Sequence, residues 1–267
     1  MLMKAFLVIG MIVTAGLLAG CAGTTSLSSP QSASVPQQGL LSAGVTTPET
    51  STTRKAAFDP FRDESDTGGF TRRHVISNPT IAQVMQLGAL PEVSIGRADA
   101  PVTIVKYASL TCPYCRKFQL ETFPILKKEY IDTGKVRFIL REFPIGFQSG
   151  AATIALRCVP QSAYFSLYSK FLLNQRAWVS QEIRHDPIFK IVKQSGLTRA
   201  KFDACYQDKA LIENLKRVKD RGRTLGVIGT PNFFVNGKLI KRVLTMKDFH
   251  KFVSEALANS VASTHTR

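Results

Sequence analysis

The chain has 267 residues, 44% of them apolar and 20% charged, with 18 Gly, 13 Pro and 5 Cys, a profile that excludes collagen-like, wholly disordered and multi-pass membrane proteins. The formal net charge is +16, and residues 91–267 alone carry 29 basic and 14 acidic side chains. That excess reads either as a solvated basic surface or as a patch for an acidic partner such as phospholipid or nucleic acid.

In chain order, Lys4 is followed by an uncharged run from Ala5 to Leu18 that ends in Leu18-Ala19-Gly20-Cys21. A run this short, after one positive charge and before small residues, reads as a signal peptide over 1–20 and not as a membrane span. The last four residues resemble a bacterial lipobox, which implies that Cys21 becomes the lipidated first residue of the mature chain. An ordinary cleaved signal with a chance cysteine is the alternative. Ala22, where Asp would be the usual inner-membrane retention signal, points to the inner face of the outer membrane. Residues 21–66 are rich in Ser, Thr, Gln and Pro, lack periodicity, and read as a flexible tether. Residues 67–91, with Ile76, Ile81, Val84, Met85 and Leu87, read as a short amphipathic helix started by Asn78-Pro79, its partner being the main domain or another copy.

Val102–Ala108 is a β-rich run, and Cys112-Pro113-Tyr114-Cys115 then opens a stretch with Phe118, Leu120, Phe123 and Leu126 at helical spacing. Thiol exchange needs an exposed thiolate, and a helix N-terminus supplies free N–H groups and a positive dipole end that stabilise one. Pro113 suits the first turn, where its missing N–H would have had no helical partner. Cys112 is therefore the expected nucleophile, and Cys115, three residues on and on the same face, the resolving thiol. Zinc sites share the CxxC spacing, so a four-cysteine site of Cys112, Cys115, Cys158 and Cys205 is an alternative; two isolated cysteines and an oxidising compartment weigh against it.

Further on, Val136–Leu140 reads as a second strand. Asn236-Gly237 between apolar runs reads as a hairpin turn, and Thr245 with Asp248 as the capped start of a helix with Phe249, Phe252, Val253, Ala256 and Leu257 on one face. The order is βαβ, a long helical stretch, then ββα. With these residues the chain resembles the thioredoxin superfamily over about residues 92–260, most closely its DsbA-like branch of exported thiol–disulfide oxidoreductases. The resemblance implies an α/β thioredoxin fold with a helical subdomain inserted at about 150–226. Within that insertion Asp186-Pro187 reads as a cap with proline at the first helical position, Gly196 as a stop, and Thr198 as the next cap.

The resemblance also makes Thr230-Pro231 the family's cis-proline, opposite the CxxC, so that Pro113, Tyr114, Thr230 and Pro231 form the substrate-binding surface. It pairs Cys158 with Cys205 in a second disulfide, worth about 4 kcal/mol in the chain-entropy model; free buried cysteines are the alternative. No cofactor, no metal and no nucleic acid are expected. The implied partners are cysteines of exported proteins, a membrane redox partner and, through Cys21, the bilayer. Trp178 reads as core, with a place on the active-site surface as the alternative, and is given no role.

Three features depart from the family pattern. Lys106 stands where many relatives carry a buried acid, and either favours the thiolate or snorkels to solvent. The Pro113-Tyr114 dipeptide lacks the histidine of the strongest oxidants, and Thr230 resembles the isomerase and reductase relatives. The expected protein is thus a lipid-anchored periplasmic thiol–disulfide oxidoreductase. An isomerase or reductase kept reduced by a membrane partner, and a non-catalytic envelope lipoprotein that binds clients or metal, are its competitors.

Overall fold

The computed structural model describes Phe61 and residues 74–264; the 1–20 signal, Cys21, the rest of the 21–66 tether and residues 67–73 lie outside the described residues. The segment before the domain forms α1 (Ile81–Met85), only five residues long. Its cap is Thr80 rather than Asn78-Pro79, because Thr80 and Gln83 form a capping box whose two hydrogen bonds satisfy both backbone donors. Asn78 instead turns the chain with φ 54°. The partner is the domain itself: Val84 is buried against Val105, Tyr107, Ile139 and Phe234, while Ile81 and Leu87 stay exposed.

Five strands follow: β1 (Val93–Ile95), β2 (Val102–Ala108), β3 (Val136–Glu142), β4 (Asn232–Val235) and β5 (Lys238–Ile240). They form one sheet in the order β1-β3-β2-β4-β5. β2 and β3 run parallel, Val102 facing Val136 and Ala108 facing Glu142, and the other pairings are antiparallel. Central β2 is buried on both faces, which is why its sequence is an almost unbroken β-branched and apolar run. Asn236 and Gly237, at φ 44° and 87°, make the β4–β5 turn, both in the left-handed region that a two-residue hairpin of this twist requires.

From β2 the chain enters α2 (Pro113–Lys117) and α3 (Phe123–Leu126), joined and extended by π turns at Phe118–Thr122 and Lys127–Ile131. Between β3 and β4 lie α4 (Phe147–Arg157), α5 (Gln161–Leu173), α6 (Gln175–Trp178), α7 (His185–Val192), α8 (Arg199–Cys205) and α9 (Lys209–Thr224). The helical stretch is thus broken, notably at 179–184. α7 begins at His185, with Arg184 and not Asp186 in the capping place. Asp186 pairs with Arg199 at 2.6 Å instead, and Pro187 is tolerated in the first turn because N–H groups there lack helical partners. Gly196 does end its segment in the left-handed region, and Thr198 accepts from the Lys201 N–H to cap α8.

The chain closes with α10 (Met246–Thr264), where Thr245 and Asp248 exchange backbone-to-side-chain hydrogen bonds. Its Phe249 and Val253 are buried on one sheet face with Phe118, Phe138 and Phe233. α9 covers the opposite face so closely that a Cβ on Gly222 would stand 2.7 Å from the Tyr107 ring, which reserves that position for glycine. Among the described residues no helix is long and apolar enough to cross a membrane.

Candidate active site

The C-terminal end of β2 leads through Ser109-Leu110-Thr111 to Cys112, and polar side chains hold this short loop. Ser109 Oγ bonds Ser149 Oγ at 2.8 Å, and Thr111 Oγ1 donates to the Ile145 carbonyl at 3.2 Å. The amide of Gln175, on α6, donates to the carbonyls of Leu110 at 2.7 Å and Cys112 at 3.0 Å. The Cys112 carbonyl also accepts the Arg116 N–H at 3.1 Å, but the Leu110 carbonyl lies where the strand has ended, and Gln175 supplies its donor.

Cys112 occupies the N-cap of α2 with extended backbone, and the Cys115 N–H donates to its Sγ at 3.4 Å. The protonated Cys112 thiol donates to the Thr230 carbonyl at 3.1 Å, and the Thr230–Pro231 peptide bond is cis. Sequence positions 112–115 and 230–231 therefore meet at one place. The hydrogen bond from the Cys115 thiol is the largest cause bringing Cys112 down to about 5, against the desolvation of its half-buried sulfur; Thr230 and the backbone N–H groups of Cys115 and Tyr114 assist. Cys115 is fully buried, and burial first, then its bond to Cys112, push its thiol well above the ordinary cysteine range. Both thiols are free.

Lys106 does not snorkel. Its side chain is wholly buried, with Nζ donating to the Tyr168 hydroxyl at 3.1 Å and standing 4.2 Å from the Phe118 ring centroid. Burial lowers the ammonium to about 8, while the charges of Cys115 and Cys112 act to keep it protonated. Its own charge pulls the Cys115 thiol downward. Tyr114 within the CxxC, Ile145 whose carbonyl accepts from Thr111, and Ile228 two residues before Thr230 are large exposed apolar side chains.

The other cysteines are elsewhere. Cys158 and Cys205 are bonded to each other, S–S 2.07 Å and Cα–Cα 6.4 Å, joining the end of α4 to α8, so the four cysteines do not converge on one metal. Trp178 is buried, its Nε1 donating to the Phe171 carbonyl at 2.7 Å. Gln175 and Tyr168 belong to the site without a sequence signal, since a lone Gln after an apolar helix and a Tyr within one match no motif.

The arrangement separates two thiols by environment, one ionised at neutral pH and one protonated. Because the thiolate is the reactive form, Cys112 should be alkylated by iodoacetamide with a half-maximal rate near pH 5, while Cys115 stays unmodified at neutral pH. Mass mapping after brief treatment checks this, and preferential labelling of Cys115 would reverse the two environments.

Comparison with known proteins agrees with this geometry. A family model described as thioredoxin matches residues 89–255. A putative protein-disulfide oxidoreductase of Rickettsia bellii is 32% identical over 148 residues, covering 55% of this chain and 57% of that protein. A probable disulfide bond formation protein D of Bacillus cereus is 33% identical over 152 residues, covering 55% of this chain and 70% of that protein. The match thus spans little more than half the length of the rickettsial relative. Among solved structures, α-DsbA1 of Wolbachia pipientis superposes with a TM-score of 0.60 at 26% identity, covering 66% of this chain and 97% of that one.

Proposed function

Because the chain belongs to the thioredoxin family, in its DsbA-like branch of thiol:disulfide oxidoreductases, we propose that it exchanges disulfides with cysteines of exported proteins through a mixed disulfide at Cys112. In the reducing direction the Cys112 thiolate attacks a substrate disulfide, forming one S–S bond and releasing one substrate thiolate, which takes up a proton. The Cys115 thiol loses its proton and attacks Cys112 Sγ, releasing the second substrate sulfur and leaving a Cys112–Cys115 disulfide. The substrate gains two electrons from the protein and two protons, one from the Cys115 thiol and one from solvent because Cys112 enters as the thiolate, and oxidation of a substrate dithiol is the reverse. The observation that carries this reading is the half-buried Cys112 sulfur at a helix N-terminus, 3.1 Å from the carbonyl before a cis-proline. Exposed Tyr114, Ile145 and Ile228 support the docking of an extended, partly apolar client segment beside Pro113, Thr230 and Pro231. An insulin-reduction assay tests it: the wild type should accelerate precipitation and Cys112→Ser should not, and equal rates would overturn the assignment.

The direction of electron flow follows from how strongly the thiolate is stabilised. A Cys112 at about 5 lies between thioredoxin, near 7, and DsbA, near 3.5. The reduction potential should accordingly lie between about −120 mV and about −270 mV, compatible with oxidase, isomerase or reductase work depending on the partner that recharges it. Equilibration with glutathione buffers measures it, and a value at or above about −120 mV would contradict the intermediate position.

The proposed location is the periplasmic face of the outer membrane, held by lipid on Cys21, with a membrane redox partner within reach of the tether. Changing Cys21 to Ser should move the protein from the detergent phase to the soluble fraction, and unchanged retention would assign the anchor to the basic surface.

A further inference from the structure

On the sheet face away from Cys112, a cavity of about 290 Å³ is floored by β2 and β3 and walled by α9 and residues 86–89. Three arginines line it: Arg141 from β3, and Arg217 and Arg221 one turn apart on α9. Arg141 is held from behind, Nη1 donating to the Val84 carbonyl at 2.6 Å and to the Tyr107 hydroxyl at 3.2 Å. Its only carboxylate among the described residues, Glu92 at 3.6 Å, is already engaged by Arg137 at 2.7 Å.

Arg221 donates to the Gln83 carbonyl at 2.7 Å, and its Nε is buried without a partner among the described residues. Among those residues Arg217 reaches only the Asn214 side-chain oxygen, at 3.5 Å. Neither Arg217 nor Arg221 forms an ion pair with a carboxylate among the described residues, whereas the acids beside them on α9 are taken, Glu213 by Lys216 and Asp220 by Arg223.

A concave site with several guanidiniums and one shared carboxylate carries uncompensated positive charge that an oxyanion would neutralise, and guanidinium forks fit planar carboxylates and phosphates best. The remaining walls decide between these. Leu87, Tyr107 and Val218 present carbon to the same cavity, a surface that a bare phosphate would leave wet and that an apolar ligand body would cover. We infer that this cavity is a second ligand site, distinct from the thiol centre, for a small organic carboxylate with a short apolar body.

The test is a calorimetric titration of the purified full-length chain with hexanoate, acetate, hexanol and inorganic phosphate. Saturable hexanoate binding about tenfold or more tighter than the other three is expected, because only hexanoate offers both charge and carbon. The double variant Arg217→Gln/Arg221→Gln should weaken it by about tenfold or more, the usual cost of removing one side of a desolvated charge pair. Leu87→Glu, at an exposed position, places a tethered carboxylate at the rim and should also block hexanoate even if the arginine variant misfolds. The inference is overturned by any of three results: no saturable binding to the wild type, binding that both variants retain, or phosphate binding as tightly as hexanoate.

Discussion

Replacing Lys106 with methionine is expected to stabilise the reduced protein by about 3 kcal/mol at neutral pH and to flatten its stability between pH 8 and 10.5. The Lys106 ammonium is wholly buried, its partners in the fold being the Tyr168 hydroxyl and the Phe118 face. It releases its proton at about 8 when folded and at the ordinary 10.5 when unfolded. Between these values the unfolded chain holds more protons, so wild-type stability rises with pH through the window, and the full penalty applies below its lower edge. Methionine keeps the length of the side chain and removes the charge. Urea denaturation of both proteins across this range reads the difference, with Cys115→Ala carried in both so that the thiol coupled to Lys106 does not titrate in either. A variant no more stable than the wild type at pH 7 would show that the ammonium is better compensated than burial implies. The same substitution removes the cation that draws the Cys115 thiol downward, so mixed disulfides at Cys112 should persist longer in the variant. The lysine would then trade stability for faster resolution.

The second large effect is expected at Phe118, where substitution by alanine should cost about 3–5 kcal/mol. The ring lies 5.0 Å from Phe233, 6.0 Å from Phe249 and 6.3 Å from Phe123 and Phe138, centroid to centroid, so one side chain joins two strands to α3 and α10. It is fully buried, and a cavity framed by rigid aromatic rings cannot collapse cheaply. Loss of the ring also removes the face on which the Lys106 ammonium rests. Chemical denaturation with an unchanged m-value would measure the cost, and a loss below about 1 kcal/mol would mean that the neighbouring rings close the gap.

Most of the frame around the site was legible because period and chemistry agree there. Val102–Ala108 is read to the residue because both of its faces are buried, and the Asn236-Gly237 turn because positive φ at both positions narrows the choice of residues. β3 continues two residues past its apolar run because Arg141 and Glu142 find partners within the fold: Arg141 bonds Tyr107, and Glu142 accepts from Arg157 and, at 2.7 Å, from the Tyr164 hydroxyl. Such satisfaction is tertiary and leaves no trace in a window of neighbours. β1 has only three residues and exists through pairing with β3. The start of α1 was readable, since Thr80-Ile81-Ala82-Gln83 has capping-box spacing and outranks the Asn78-Pro79 signal.

At the site, Cys112, Cys115 and Pro231 are named by spacing and resemblance. The fate of Lys106 was not decidable from sequence, because a lysine in an apolar run is compatible with a buried head or a solvated one. The three-dimensional surroundings decide it, through Tyr168, sixty-two residues away.

The Gln175 amide has a consequence for how such folds are assembled from parts. It belongs to the inserted helices, yet its two hydrogen bonds end on the loop that carries the nucleophile. The insertion is therefore not an ornament that can be excised or exchanged while the thioredoxin frame continues unaltered. A chimera that grafts a foreign helical cap between β3 and β4 must bring its own donor to the Leu110 carbonyl, whereas the Cys112 carbonyl keeps the Arg116 N–H at 3.1 Å. Without one, a buried acceptor two residues before the nucleophile would have to be met by water, and the loop that carries the thiolate would lose its tie to the helices behind it.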